Sequence, residues 1–303
     1  MPLDKYLQIR LYDNNLTTPT LIADLTNRIN SLNFSTQLNG GFGLCQFQIS
    51  MSIAEAWNWL SREGKKGYHF NRVAVHEGRI LIWEGRIFEI ELDVDLSTMG
   101  ISVSCQGYWA ATRDQFYTAT GNTNWASGSG HEINDIIKEM LTEECPDINS
   151  DQTNIAAGSR DLVGLDFTTK EYPQTRINEL TQLSDDDNAI WFFAIWDDRT
   201  PYLFKRSITA VDWYVWLSDV TNFRLAQSGQ ELRNVVLPFV GTTEGTTQTD
   251  TASLALYPRR EIKITLPTGA NANSQADAAT SQVTERALPR QLNSFALSGS
   301  VYK

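Results

Sequence analysis

Between Asn71 and Asp95 apolar and polar residues alternate with the period of two that marks a half-buried β-strand. Val73 and Val75 fall on one face and Glu77-Gly78 reads as a turn. Ile80, Ile82, Ile87 and Ile90 carry the apolar set on, with a register change expected near Gly85, since glycine inside a strand marks a bulge or a close backbone approach. Gln8 to Tyr12, Cys45 to Met51 and Ile101 to Gln106 show the same alternation. One helix interrupts them: Ser52 and Glu55 have capping-box spacing, Trp57 and Leu60 are its expected apolar anchors, and Gly64 its stop. The segment 1–109 is thus expected to be a β-barrel or sandwich with one helix.

From Ala110 to Gly130 the chain is polar and reads as a linker, apart from Phe116, Tyr117 and Trp125. Helical spacing then appears at Ile133, Ile136, Ile137, Met140 and Leu141, closed by Pro146. It returns at Ile177, Leu180 and Leu183 behind Pro173, a first-turn proline. A hairpin follows, Ile190 to Trp196 and Pro201 to Arg206, turning at Asp197-Asp198-Arg199-Thr200. The segment 110–228 is expected to be a small α+β domain that closes after the Trp213-Tyr214-Val215-Trp216 cluster.

In 229–303, strands are expected at Leu232 to Val240 and Arg260 to Leu266, with Gly241 to Asp250 a flexible hairpin tip. A helix from Asn273 to Leu288, striped by Ala276, Ala279, Val283 and Ala287, precedes a last strand from Phe295 to Tyr302. This repeats the plan of the first segment. The fold class expected overall is α+β, mainly β: two β domains, each with a helix, flanking a small α+β domain.

A length of 303 residues agrees with two or three domains, and 41% hydrophobic residues with a folded chain. The formal charge of −11 argues against a broad basic face for gripping nucleic acid. No run approaches the roughly 18 apolar residues of a membrane span, and Met-Pro-Leu-Asp-Lys-Tyr lacks the basic and apolar regions of a signal peptide, so a soluble chain that is not Sec-exported is expected. Cys45, Cys105 and Cys145 fit neither a disulfide framework nor a zinc site and read as buried thiols.

No residue earns a catalytic, cofactor-binding or metal-ligating assignment. Asp185-Asp186-Asp187-Asn188 lacks the alternation of a calcium loop and reads as a solvated turn. His131-Glu132 lacks a second zinc-binding histidine, and Ser127-Gly128-Ser129-Gly130 is not a nucleophile elbow. Gly40 to Gly43 lacks the Lys-Ser/Thr of a phosphate loop. Trp57, Trp83, Trp191, Trp196 and Trp213 could stack on sugars, but each sits in an apolar pattern that favours packing.

The Val-Ala-Val, hairpin, Ile-Trp-Glu-Gly-Arg-Ile order of Asn71 to Ile90 resembles the first tube domain of central baseplate hub proteins of tailed bacteriophages and related contractile machines. Thr175 to Leu180 and the Ala189 to Lys205 hairpin resemble the small α+β domain of that family. Leu232 to Val236 and Ser253 to Glu261, with the Ala-rich helix and closing strand, are similar to its second tube domain. The likeness rests on the order of short motifs over nearly the whole chain. Pro258 departs from it, standing where such proteins often place a glycine, and the stop soon after Tyr302 leaves little room for an extended C-terminal region, so a spike, fibre or lytic domain is not expected within this chain.

The resemblance implies a non-enzymatic, cofactor-free structural protein of the virion tail, assembled in the host cytoplasm. Its partners would be copies of itself in a pseudo-sixfold ring (a homotrimer, with a hexamer as the alternative), the tail tube, other tail-tip or baseplate proteins and the tape measure protein. DNA would pass through the lumen without specific binding, and an acidic lining suits that because cations are what hold phosphates. Two other readings remain: a distal tail or receptor-binding module recognising host surface glycans, and a hydrolase with dispersed carboxylates, for which the sequence offers no candidate pair.

Overall fold

The computed structural model describes residues 7–15, 18–60, 67–94, 99–117, 132–158, 170–183, 191–205, 220–266 and 270–297. The side chains of 93–94, 99, 220–227 and 290–297 are not described. Gly64, Trp125, Ser127 to His131, Asp185 to Ile190, Trp213 to Trp216 and the end of the last expected strand lie outside the described residues.

The alternating segments form one large sheet. Its strands are β1 (Leu7–Tyr12), β2 (Leu21–Asp24), β3 (Ile29–Gln37), β4 (Gly40–Ser50), β5 (Arg72–Glu77), β6 (Ile80–Val94), β7 (Met99–Gln106), β8 (Trp191–Ile195) and β9 (Pro201–Lys205). They run in the order β2-β1-β5-β6-β7-β4-β8-β9, with β3 also paired to β4. The hairpin expected in the middle segment therefore belongs to the sheet of the first. It joins through a two-residue parallel contact, Gly40 beside Ala194 and Gly41 beside Ile195. Only glycine fits at 41: φ is +88°, and a Cβ would lie 2.1 Å from the Ile195 carbonyl oxygen.

Period-two burial holds where the sequence shows it. Ile9, Leu11, Cys45, Phe47, Ile49, Val73, Val75, Ile87, Ile101 and Val103 enclose Trp83 in one apolar core. The register change differs in place from the expectation. β6 bulges twice, at Ile82 opposite Val75/His76 and at Phe88 opposite Ser104/Cys105, with Gly85 between the bulges. Gly85 is instead a close approach: a Cβ there would meet the Gln106 carbonyl at 2.2 Å and the Trp83 ring at 2.5 Å. Ile80, paired with Glu77 at the hairpin end, is 50% exposed, while Trp83, paired with Val75, is wholly buried.

Helix α1 (Ile53–Trp59) has the full capping box, the Ser52 hydroxyl accepting from the Glu55 amide and the Glu55 carboxylate from the Ser52 amide. Its inward face is Ala56 and Trp59, three residues apart, so Trp57 projects outward at 41% exposure and is not an anchor. Leu60, the other expected anchor, is partly buried against the core.

The second core gathers α2 (Ile133–Glu144), α3 (Pro173–Thr181), the inner face of β8 and β9, and the last third of the chain. Ile133, Ile136, Ile137, Met140 and Leu141 of α2 and Ile177 and Leu180 of α3 are all buried, as their spacing requires. Across the start of the expected linker, Tyr108–Arg113 forms a 3-10 turn, and within it Tyr117, fully buried, bridges to Glu171. An aromatic in a polar run is the signal that this stretch is part of the fold.

The C-terminal part contains β10 (Val220–Ser228), β11 (Val235–Val240), β12 (Thr243–Glu244), β13 (Gln248–Thr249), α4 (Thr251–Leu256), β14 (Glu261–Leu266), α5 (Ala272–Arg286) and β15 (Arg290–Leu297). β10 pairs with β15, and β11 pairs in parallel with β14. The expected flexible tip at 241–250 instead returns along β11: β12 pairs with its end and β13 with its start. Backbone pairing, which side-chain composition does not reveal, orders it. α4, also unforeseen, is capped by the Asp250 carboxylate on the Ser253 amide. Buried Asn234 pins this region, its side chain accepting from Arg260 N at 2.7 Å and donating to Pro258 O at 3.1 Å.

Candidate functional site

Two surfaces of the large sheet stand out. The first is the outer face of β3-β4-β7-β6. The strand register aligns Asn33, Gln46, Ser104 and Glu89 in one row and Ser31, Gln48, Ser102 and Glu91 in the next. Gln46 and Gln48 donate to Ser104 and Ser102, both at 3.4 Å, and Ser31 donates to Gln48. All of these but Glu89 line a shallow groove of about 350 Å³. Neither row contains a lysine or arginine, and each ends in a glutamate.

The second is a cleft of about 530 Å³ where the hairpin tip and the 3-10 turn meet β5 and β6. Arg72, Arg86, Arg113 and Arg199 all line it, in a chain with only 25 Lys and Arg. Arg72 and Arg86 are directly opposed on adjacent strands, an arrangement that needs neutralising carboxylates. Arg86 makes a two-pronged pair with Asp114 and a further bond to Asp147 at 3.0 Å. Burial pulls the Arg86 guanidinium down, but Asp114 and Asp147 outweigh it and hold the pKa above the ordinary value.

Arg72 faces Glu84, which is fully buried, with Nε 3.1 Å from Oε1. The approach lacks the angle of a hydrogen bond, so it is a charge contact. The other Glu84 oxygen accepts the Asp198 amide at 2.9 Å. Burial pushes Glu84 up to about 7 against the pull of Arg72. Burial also raises Tyr108, on whose ring Arg199 lies at 5.9 Å.

Backbone strain collects at the same place. Among the described residues the non-glycine positions with positive φ are Phe70, Asp198 and Arg199. Phe70 and Arg199 line the cleft, and the Asp198 carboxylate is 3.8 Å from Arg72. Such conformations persist where surrounding contacts over-determine them. Nothing in the sequence announced this: the arginines have no motif spacing, and only Asp198 is a residue type that readily takes left-handed backbone.

The groups weighed from the sequence are scattered. Cys45 and Cys105 oppose one another across β4 and β7, buried and unbonded, and burial raises both thiols, Cys45 to about 12. Cys145 is likewise buried and free. His76 is pulled below its usual value by burial, then by Arg10 and Arg72. Trp83 and Trp191 are buried, and Trp196 packs edge-on against Phe42 at 5.2 Å. Among the described residues no cluster of three His, Cys, Asp or Glu has the placement to hold a metal, and no helix is long and apolar enough to cross a membrane.

No protein-family model and no curated protein matches the sequence. Solved structures do match over almost its whole length. A 43 kDa tail protein of prophage MuSo2 from Shewanella oneidensis aligns with 97% of this chain and 83% of its own, at 12% identity and a TM-score of 0.62. A tail protein from Neisseria meningitidis MC58 aligns with 97% of this chain and 81% of its own, at 11% identity and a TM-score of 0.65. A prophage tail protein from Listeria monocytogenes EGD-e gives 97% and 82%, 10% identity and a TM-score of 0.54. At these identities the likeness establishes a shared fold: mainly β with several helices, the fold of phage tail proteins.

Proposed function

We propose that this chain is a structural, non-enzymatic component of a phage-type tail, a hub whose copies close into a ring around a passage for DNA. The observation that carries the reading is the pair of cation-free rows across β3-β4-β7-β6. Polyanion affinity comes largely from lysine and arginine displacing counterions at phosphates, so two rows offering only Ser, Asn, Gln and Glu let a duplex slide along them. The tail-protein fold supports the same reading.

In this proposal residues 1–109 and 229–303 are two tube-like modules flanking the middle segment 110–228, and three copies give a pseudo-sixfold ring in the virion tail. It would stack on the tail tube and contact tail-tip and tape measure proteins. Purified protein at high concentration, alone and with tail-tube protein, should give annuli in negative stain; persistent monomers in both samples would remove the hub reading. The double variant Gln46→Lys/Gln48→Lys should convert a ring that does not retain duplex DNA at 50 mM salt into one that does. Every phosphate newly neutralised by a lysine should steepen the fall of log affinity with log salt by roughly 0.9.

One observation favours the glycan-binding alternative: Trp57 and Ile53, four residues apart, are both exposed on α1. A glycan array in which Trp57→Ala and wild type score alike would dismiss it.

A further inference from the structure

We propose that Glu84 and the hairpin tip Asp197–Arg199 form a proton-sensitive latch that fastens the β8-β9 hairpin to the large sheet. Glu84 lies on β6 between the Ile82 and Phe88 bulges. One of its oxygens faces Arg72 on the neighbouring strand; the other holds the Asp198 amide of the tip. A single fully buried carboxyl thus bridges elements more than a hundred residues apart in the chain.

Among the described residues few other polar contacts tie the hairpin to the sheet, while from outside the sheet Asn149 donates to the Asp198 and Arg199 carbonyls. To the sheet there are the two-residue pairing of Gly40 and Gly41 with Ala194 and Ile195, and the Phe193 amide donating to Asn39 at 3.2 Å. The tip is held in left-handed backbone at both Asp198 and Arg199, a strain that is released if it lifts. Beside it lies the open cleft, so water can reach the contact as soon as it parts.

The groups facing Glu84 are Arg72 from β5, Asp198 and Arg199 from the tip, and Tyr108 from the 3-10 turn. Arg86, two residues along β6, is committed to Asp114 and Asp147. Closed, Glu84 titrates near 7; lifting the tip rehydrates it and returns it toward 4.5. The closed state therefore binds its proton more tightly. Its advantage is complete below pH 4.5 and lost as pH rises through 7, by about 300-fold in the opening equilibrium, of which about 70-fold falls between pH 5 and 8.

Hydrogen exchange on the full chain tests this, with rates divided by the intrinsic exchange at each pH. Protection of amides in 191–205 should fall about 70-fold from pH 5 to 8, while that of α2 changes little. In Glu84→Gln the fall should vanish, and in Asp114→Asn it should persist. Flat protection in wild type, or an equal fall in Glu84→Gln, overturns the latch. Should Glu84→Gln not fold, carbon NMR titration of wild-type Glu84 decides: a midpoint near 7 supports the proposal, and one below 5 refutes it.

Discussion

Replacing Gly41 by alanine places a methyl group 2.1 Å from the Ile195 carbonyl oxygen, with φ at +88°. The obstacle is backbone, so no rotamer change relieves it; β4 and β8 must part by about 1 Å to restore ordinary contact. Backbone strain contributes about 1–2 kcal/mol. Losing the two pairing positions beside Ala194 and Ile195 adds about 2 kcal/mol. Loosening the edge-on Phe42–Trp196 contact adds about 1 kcal/mol. The total is roughly 4 kcal/mol.

Gly78 is the control, since it too has positive φ, +60°, but a Cβ there meets nothing within 4 Å. Gly78→Ala should cost only the strain, about 1 kcal/mol. In urea unfolding followed by tryptophan fluorescence, a slope of about 3 kcal/mol/M predicts midpoints lower by roughly 1.3 M for Gly41→Ala and 0.3 M for Gly78→Ala. Equal shifts would refute the claim that the Gly41–Ile195 approach is a structural joint.

Ser52→Ala removes one half of the α1 capping box and should cost about 1 kcal/mol, read as a lowered unfolding midpoint. Asn234→Ala leaves the Arg260 amide and the Pro258 carbonyl without their side-chain partner and should cost about 2–4 kcal/mol; a loss under 1 kcal/mol in the same assay would mean Asn234 does not pin β11 to β14.

The sequence disclosed whatever depends on periodicity. The α2 and α3 faces, the alternation of β4, β5 and β7 and the β8-β9 hairpin all stand where their spacing puts them, because burial repeats with the geometry of the element. It was silent where long-range backbone pairing decides. The return of 241–250 along β11 and the joining of β8 to β4 are made by main-chain groups, which every residue carries. Trp57 shows the limit of apolar identity as a guide: Ala56 and Trp59 already fill the inward face of α1. The arginine cleft was invisible because residues 72, 86, 113 and 199 converge only once β5, β6, the 3-10 turn and the hairpin tip are assembled.

The two-residue parallel joint at Gly40-Gly41 also bears on how such a chain can be recombined. A crossover near residue 109 would cut sequence while leaving one sheet shared between parental halves. A graft of residues 1–109 from a relative would have to bring a glycine to position 41, a carboxyl to position 84 and an asparagine to position 39 for the recipient's hairpin to seat. The unit that can be exchanged intact is therefore the sheet together with its borrowed hairpin, and lineages of such proteins should keep residues 39–41, 84 and 193–198 as one linkage group.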